Sequence, residues 1–375
     1  MAQDVYLKLR RHLDNLPGGY PATDSGVELR ILRRLFSPEE AGLAIKLTLI
    51  PEAGPVVARR ARLPLAEATR RLDEMARKGL VFRYEYKGEV YYMAAQYVIG
   101  IWEYHVNDLD PELIRDMNEY IPHLFTPEAW KKAPQLRTIP VGRSITPEHE
   151  VMPYEMAEEL VRGQKKILVA PCICRREHEM VGEGCDKPKE TCLVFGAGVD
   201  YYQANGLGRR IDADEALAIL KQADKKGLVL QPTNAKKIMN ICCCCGCCCQ
   251  VLKTFKRHPK PAQMVSSPFI AAADPASCKG CGVCVDRCQM EALSLDGDKK
   301  VVLDLDRCIG CGLCVSTCPT KSLTLARKPE NEQPRVPKNN LEALMNTARA
   351  RGKLSPARLA VMSLKSKMDR LLASR

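Results

Sequence analysis

Apolar positions along the chain switch several times between helical and strand spacing. Leu65, Ala68, Leu72, Met75 and Ala76 recur at three- and four-residue intervals. They predict a helix over Leu65 to Lys78 that Gly79 ends. Upstream, Ser37-Pro38-Glu39-Glu40 reads as a helix start. Ser37 caps, Pro38 takes the first helical position, and Glu40 reaches back. The apolar stripe in AGLAIKLTLI predicts that this helix continues through it. A short helix is expected around Pro55–Ala61, then a turn at Leu63-Pro64. LVFRYEY and EVYYMA flank Lys87-Gly88 and predict a hairpin. Ile167-Leu168-Val169-Ala170 is a continuous apolar run, read as a buried strand. Asp214 to Lys226 predicts a helix stopped by Gly227. Ser355-Pro356 opens a last helix with Leu359, Met362, Leu364, Met368, Leu371 and Leu372 set among basic residues. That helix is expected to pack on its own protein, with docking on an anionic partner or a membrane surface as the alternative.

Helix, turn, helix and hairpin in residues 1–125 resemble the order of MarR-like winged-helix regulators. Arg59, Arg60 and Arg62 precede the third helix, and Arg70, Arg71, Arg77 and Lys78 lie on it. The resemblance implies either a DNA-reading helix or a module that contacts a partner protein. Residues 126–153 form a linker in which Pro134, Pro140, Pro147 and Pro153 disfavour helix. Residues 327–375 form a basic helical tail, with twelve Lys/Arg against four Asp/Glu.

Nineteen of 375 residues are cysteine, and eight of them fall into two runs of one spacing. Cys278, Cys281, Cys284 and Cys288 stand as CKGCGVCVDRC. Cys308, Cys311, Cys314 and Cys318 repeat it as CIGCGLCVSTCP. Beyond the cysteines, Gly280 matches Gly310, Gly282 matches Gly312, Val285 matches Val315, and Leu293 matches Leu323. This C-x2-C-x2-C-x3-C pair resembles the bacterial two-[4Fe-4S] ferredoxins over about residues 270–326. Asp296-Gly297-Asp298 reads as a hairpin turn within it. Pro319 follows the second run, but Gln289 follows the first.

The resemblance implies two [4Fe-4S] clusters with crossed fourth ligands. One would take Cys278, Cys281, Cys284 and Cys318, the other Cys308, Cys311, Cys314 and Cys288. Zinc knuckles favour separated C-x2-C pairs and fit the spacing less well. Lys279, Arg287, Arg307 and Lys321 stand beside these cysteines, as a landing surface for an acidic redox partner.

Residues 154–255 carry the other eleven cysteines and are read as a Cys-rich α/β domain. Cys172, Cys174, Cys185 and Cys192 follow the apolar strand, with Arg175 and Arg176 able to offset thiolate charge. ICCCCGCCC adds Cys242 to Cys245 and Cys247 to Cys249. Neighbouring side chains in an extended run point oppositely, so only a subset can meet one metal. The candidate ligands are Cys172, Cys174, Cys185, Cys192, Cys242, Cys244, Cys245, Cys247 and Cys249. They would hold a third [4Fe-4S] cluster, a zinc or a soft metal. Packing of small buried thiols and redox disulfide chemistry are the alternatives. His178, flanked by glutamates, is read as exposed.

The expected fold class is α+β and multi-domain: winged helix, Cys-rich α/β domain, two-cluster ferredoxin domain and basic helical tail. No apolar run approaches the ~18 residues of a membrane span, and MAQDVYLKLR lacks an apolar signal segment. Metal-bound thiols then point to a reducing cytoplasm. Dinucleotide, phosphate-loop and nucleophile-elbow motifs are absent. The chain therefore reads as an electron-transfer component of an oxidoreductase system without a catalytic site of its own. The alternatives are a redox- or iron-sensing DNA-binding regulator, and a metal- or cluster-donor factor built on ICCCCGCCC.

Overall fold

The computed structural model describes residues 4–146, 151–353 and 355–373. Pro147 of the linker and the Leu359 side chain lie outside the described residues. The chain forms two compact units. One comprises residues 1–124, 200–207 and 344–375, the other 125–199 and 208–343. The basic tail is therefore divided, with residues 327–343 in the second unit and 344–375 in the first, and the two cysteine-bearing segments fold as one body.

In the first unit, Pro38–Ala44 is a helix closed by the expected capping box. The Ser37 amide donates to Glu40 at 2.9 Å, and the Glu40 amide to the Ser37 hydroxyl at 3.2 Å. The helix stops at Ala44 and does not run through AGLAIKLTLI. Thr48 takes the Ile50 amide in a local turn, and Pro51 disfavours helix at the residue before it. Strand β1 (Glu52–Ala53), the helices Gly54–Ala61 and Leu65–Arg77, and strands β2 (Val81–Tyr86) and β3 (Glu89–Ala94) follow. The strands lie in the order β1-β3-β2. Positive φ at both Lys87 and Gly88 makes the two-residue turn that matches strand twist. Ala68, Leu72, Met75 and Ala76 are buried as their spacing predicts, whereas Leu65 in the first turn is 51 % exposed.

The terminal helix Pro356–Ala373 packs by its polar side. Asp369 accepts Arg60 at 2.6 Å, Ser366 donates to Glu52 at 2.6 Å, and Arg370 reaches Glu52 at 2.9 Å. The Glu52 side chain has no exposure, and a buried carboxylate needs these partners. Val361, Leu364, Met368 and Leu371 stay more than half exposed. The helix thus docks on its own protein with its apolar row outward.

The second unit is built on a five-stranded sheet in the order β6-β4-β5-β8-β7. Its strands are β4 (Ile167–Pro171), β5 (Glu190–Phe195), β6 (Arg209–Ile211), β7 (Val229–Pro232) and β8 (Asn240–Cys244). Every pairing is antiparallel. The expected α/β domain is therefore corrected to α+β, because the chain returns along each neighbour without parallel crossovers. Ile167 to Ala170 are buried. The linker is an added edge to this sheet. Arg137 and Ile139 amides donate to Pro232 and Leu230 carbonyls at 3.0 and 3.2 Å, covering the β7 edge.

The same unit continues into two antiparallel pairs, β9 (Phe269–Ala273) with β12 (Leu323–Arg327), and β10 (Leu293–Leu295) with β11 (Val301–Leu303). Ala271, Ala292, Leu293, Val301 and Leu323 pack with Cys308 and Cys314 into one small core.

Candidate metal centres

The two cysteine runs form loops beside this small core, and each loop faces a cavity. Cys278, Cys281, Cys284 and Cys318 line one of them. Cys288, Cys308, Cys311 and Cys314 line the other. Each cavity therefore takes three cysteines from one run and the fourth from the other. Gly280, Gly282, Gly310 and Gly312 all have positive φ between 68° and 76°, which is strained for residues with a Cβ. Gly310 also has no room for one, because it lies against the Phe269 carbonyl.

Backbone amides point at the sulfurs. Gly280 donates to Cys278 at 3.4 Å, Ala292 to Cys288 at 3.2 Å, and Ala271 to Cys308 at 3.4 Å. Such bonds stabilise thiolate ligands and set cluster potential. Residues 277–322 match the 4Fe-4S dicluster domain family. No curated protein and no solved structure matches the chain. The chain thus carries a ferredoxin-type, iron–sulfur-binding dicluster domain. Among the described residues no helix is long and apolar enough to cross a membrane.

The two cavities of the dicluster domain differ in environment. Cys281 is exposed, whereas Cys308 and Cys314 are buried. Burial pushes the Cys311 thiol up to about 12, so a bare thiolate is disfavoured there. The four neighbouring cations also differ. Lys279 and Lys321 are exposed. Arg287 and Arg307 are not the expected landing surface. Arg287 donates to Asp224 at 2.9 Å and to the Leu313 carbonyl at 3.0 Å. Arg307 donates to the Met290 carbonyl at 2.9 Å. Both bind their own unit because the loop carbonyls and Asp224 surround them.

In the middle segment, β-alternation sorts the cysteine run. Cys242 and Cys244 share one face of β8, and Cys243 faces the other way. Burial pushes Cys243 up to about 12, as expected of a packed thiol. Cys192 sits directly across from Cys242 in the ladder. Sulfur contacts run from Cys172 to Cys174, Cys249, Cys244, Cys242 and Cys192. Donation from Cys192 and Cys244 holds Cys242 well below the usual thiol range. Donation from Cys174 and Cys244 does the same for Cys249.

A second group lies apart from that chain of contacts. Cys185, Cys245, Cys247 and Cys248 have their sulfurs all within 4.8 Å of one another. The nine candidate cysteines of the sequence are thus divided between two groups. Cys248 joins the second group although neither its position nor its neighbours singled it out. Its C-x2-C spacing from Cys245 was the available signal.

Arg175 contacts both groups. It is 3 % exposed and donates to the Cys243 carbonyl at 3.1 Å and to the Cys245 sulfur at 3.7 Å. Burial works against its charge, but the Cys172 and Cys245 sulfurs more than offset this and raise its pKa. His178 is buried and not exposed. Its helix turns it inward, where Nδ1 meets the Cys174 carbonyl at 2.8 Å and Nε2 meets Lys253 at 2.8 Å.

The basic helix of the first unit is largely self-neutralised. Arg70 pairs with Glu74 at 2.8 Å, Arg71 with Glu67 at 2.5 Å, and Lys78 with Glu40 at 2.6 Å. Arg60 lies between Glu52 and Asp369. Less free positive charge faces outward than the sequence alone suggests.

Proposed function

We propose that this chain is an iron–sulfur electron-transfer protein with two [4Fe-4S] clusters, acting as a redox relay or as the electron-transfer subunit of an oxidoreductase. The observation that carries this reading is the crossed lining of the two cavities, each closed by a cysteine from the other run. A [4Fe-4S] cluster exchanges one electron with little change in ligand geometry. The protein's part is to fix the ligands and tune their charge.

The cavity closed by Cys318 is the entry side in this reading. Cys281 is exposed there, and the exposed Lys279 and Lys321 suit an acidic partner. The cavity closed by Cys288 is the inner side. The Val141 amide donates to the Cys311 carbonyl at 3.1 Å, and Gly312 sits against Ser144, so the linker covers that loop. Burial of this kind excludes water and oxygen from the inner ligands.

The first unit supports partner recruitment. Its helix, helix and hairpin order fits a winged-helix interaction module, and the terminal helix offers Val361, Leu364, Met368 and Leu371 to solvent.

The reading is tested by reducing the holo-protein anaerobically and mixing it with a one-electron acceptor such as cytochrome c. About two electrons per chain should be delivered. Lys279→Glu with Lys321→Glu should slow transfer to an acidic acceptor and leave that number unchanged. A protein that yields no electrons with its iron intact contradicts the reading.

A further inference from the structure

We propose that Cys185, Cys245, Cys247 and Cys248 form a tetrathiolate site for a single tetrahedral divalent ion, zinc or ferrous iron, separate from the dicluster domain. The inference rests on sulfur spacing and stands whether or not the dicluster domain relays electrons.

The spacing selects the nuclearity. A metal–thiolate bond of about 2.3 Å in a tetrahedron places the sulfurs about 3.8 Å apart. The Cys248 sulfur lies 3.6 Å from Cys185 and 3.8 Å from Cys247. All four stay within 4.8 Å of one another. Around a cubane each thiolate binds a different iron, so the sulfurs stand on a wider tetrahedron than this. A soft S4 set in tetrahedral array is the donor chemistry of zinc and of mononuclear iron.

The backbone supplies the rest of a metal knuckle. Cys245 and Cys248 are separated by two residues at the turn between β8 and the helix Gln250–Arg257. The Cys248 amide donates to the Cys245 sulfur, as a chelating C-x2-C turn requires. Cys247 comes from the same turn, and Cys185 from the loop after the helix Ile173–Met180. Arg175 adds a buried cation on Cys245. It offsets part of the charge of a divalent ion held by four thiolates, which is −2 overall. Cys245 and Cys248 are buried and Cys247 is exposed, so an ion can enter on the Cys247 side.

The test uses full-length protein purified anaerobically, with zinc, iron and acid-labile sulfide counted per chain. For zinc, one ion per chain is expected, and zinc-edge absorption should show four sulfurs at about 2.3 Å with no metal neighbour. For iron, the count should exceed sulfide by one, with a high-spin ferrous tetrathiolate signal in Mössbauer spectra. Cys185→Ser and Cys248→Ser should each lose that ion and keep the sulfide, whereas Cys243→Ser should keep both. The wild-type spectra decide the matter even where a variant fails to fold. Iron and sulfide rising together by about four each, as for a third cubane, would overturn the proposal. So would sulfide-matched iron with no further metal.

Discussion

The Gly246 amide donates to the side-chain carbonyl of Gln289 at 2.7 Å. Gln289 follows Cys288, and Gly246 lies between Cys245 and Cys247, so this bond ties the tetrathiolate loop to an inner-cavity ligand loop. It also gives a physical reason for glutamine where the second run has Pro319. Proline would offer no acceptor, and the Gln289 amide nitrogen also donates to the Arg287 carbonyl at 3.2 Å.

Gly246→Ala should break this contact. A Cβ there would meet the Gln289 main chain, with its carbonyl carbon at 3.1 Å and Cα at 3.3 Å. Overpacking of this kind costs about 1–3 kcal/mol. A lower denaturant midpoint with an unchanged slope checks it. A neutral substitution would show that the two loops can separate freely.

Asp224 should be a stability position despite its distance in sequence from either cysteine run. It accepts Arg287 at 2.9 Å, and the two side chains are only 13 % and 7 % exposed. Asp224→Ala leaves a nearly buried guanidinium without its carboxylate, a loss of about 3–5 kcal/mol. Equilibrium unfolding of the holo-protein reads this directly. Faster iron loss should accompany it, since Arg287 also braces the Leu313 carbonyl beside Cys314.

The crossed ligands make an asymmetric prediction. Cys318→Ala alters the second run but should impair the cavity lined by Cys278, Cys281 and Cys284. Cys288→Ala alters the first run but should impair the other cavity. Each should lower iron from about eight to about four per chain. Potentiometric EPR should then show that the two variants retain different clusters. Loss of the same cluster from both would refute the crossing.

Acid should loosen the first unit through Asp14. Burial raises its pKa, but hydrogen bonds from Lys353 and Arg351 outweigh this and hold it below the usual carboxylate value. Arg351 reaches Asp14 at 2.7 Å and Lys353 at 2.6 Å. The stabilisation is therefore present above the ordinary carboxylate pKa, near ~3.9. It is lost as pH falls through the lower folded-state value. Asp14→Asn should cost about 2 kcal/mol at neutral pH, and the gap to wild type should close below about pH 4. Hydrogen exchange of amides in Val5–Asp14 reads this without reference to cluster loss. A pH-independent gap would count against the ion pairs.

Local spacing carried much of the architecture. The Leu65–Arg77 helix and the Lys87-Gly88 hairpin follow from periodicity and turn chemistry that neighbours did not override. The repeated glycines and cysteines likewise brought the two cavities into view. Long-range geometry was hidden. Thr48 and Pro51 are local signals against helix at the end of AGLAIKLTLI, whereas nothing local showed that buried Glu52 draws the terminal helix in by its polar side. In ICCCCGCCC, period two separates Cys243 from Cys242 and Cys244. The strand ends before Cys245, so alternation does not extend to Cys247 and Cys248. Cys185 reaches them from a loop 60 residues earlier, a pairing set by tertiary structure alone. His178 and Arg287 depart from expectation for the same reason, since charge in sequence does not reveal which carbonyls surround it.

The most direct test of the two-cluster relay is iron and acid-labile sulfide analysis of anaerobic protein with EPR after dithionite reduction. The account predicts about eight sulfide per chain with matching cluster iron, and two interacting one-electron centres. Zinc in place of iron at the two runs, or a single reducible cluster, would contradict it.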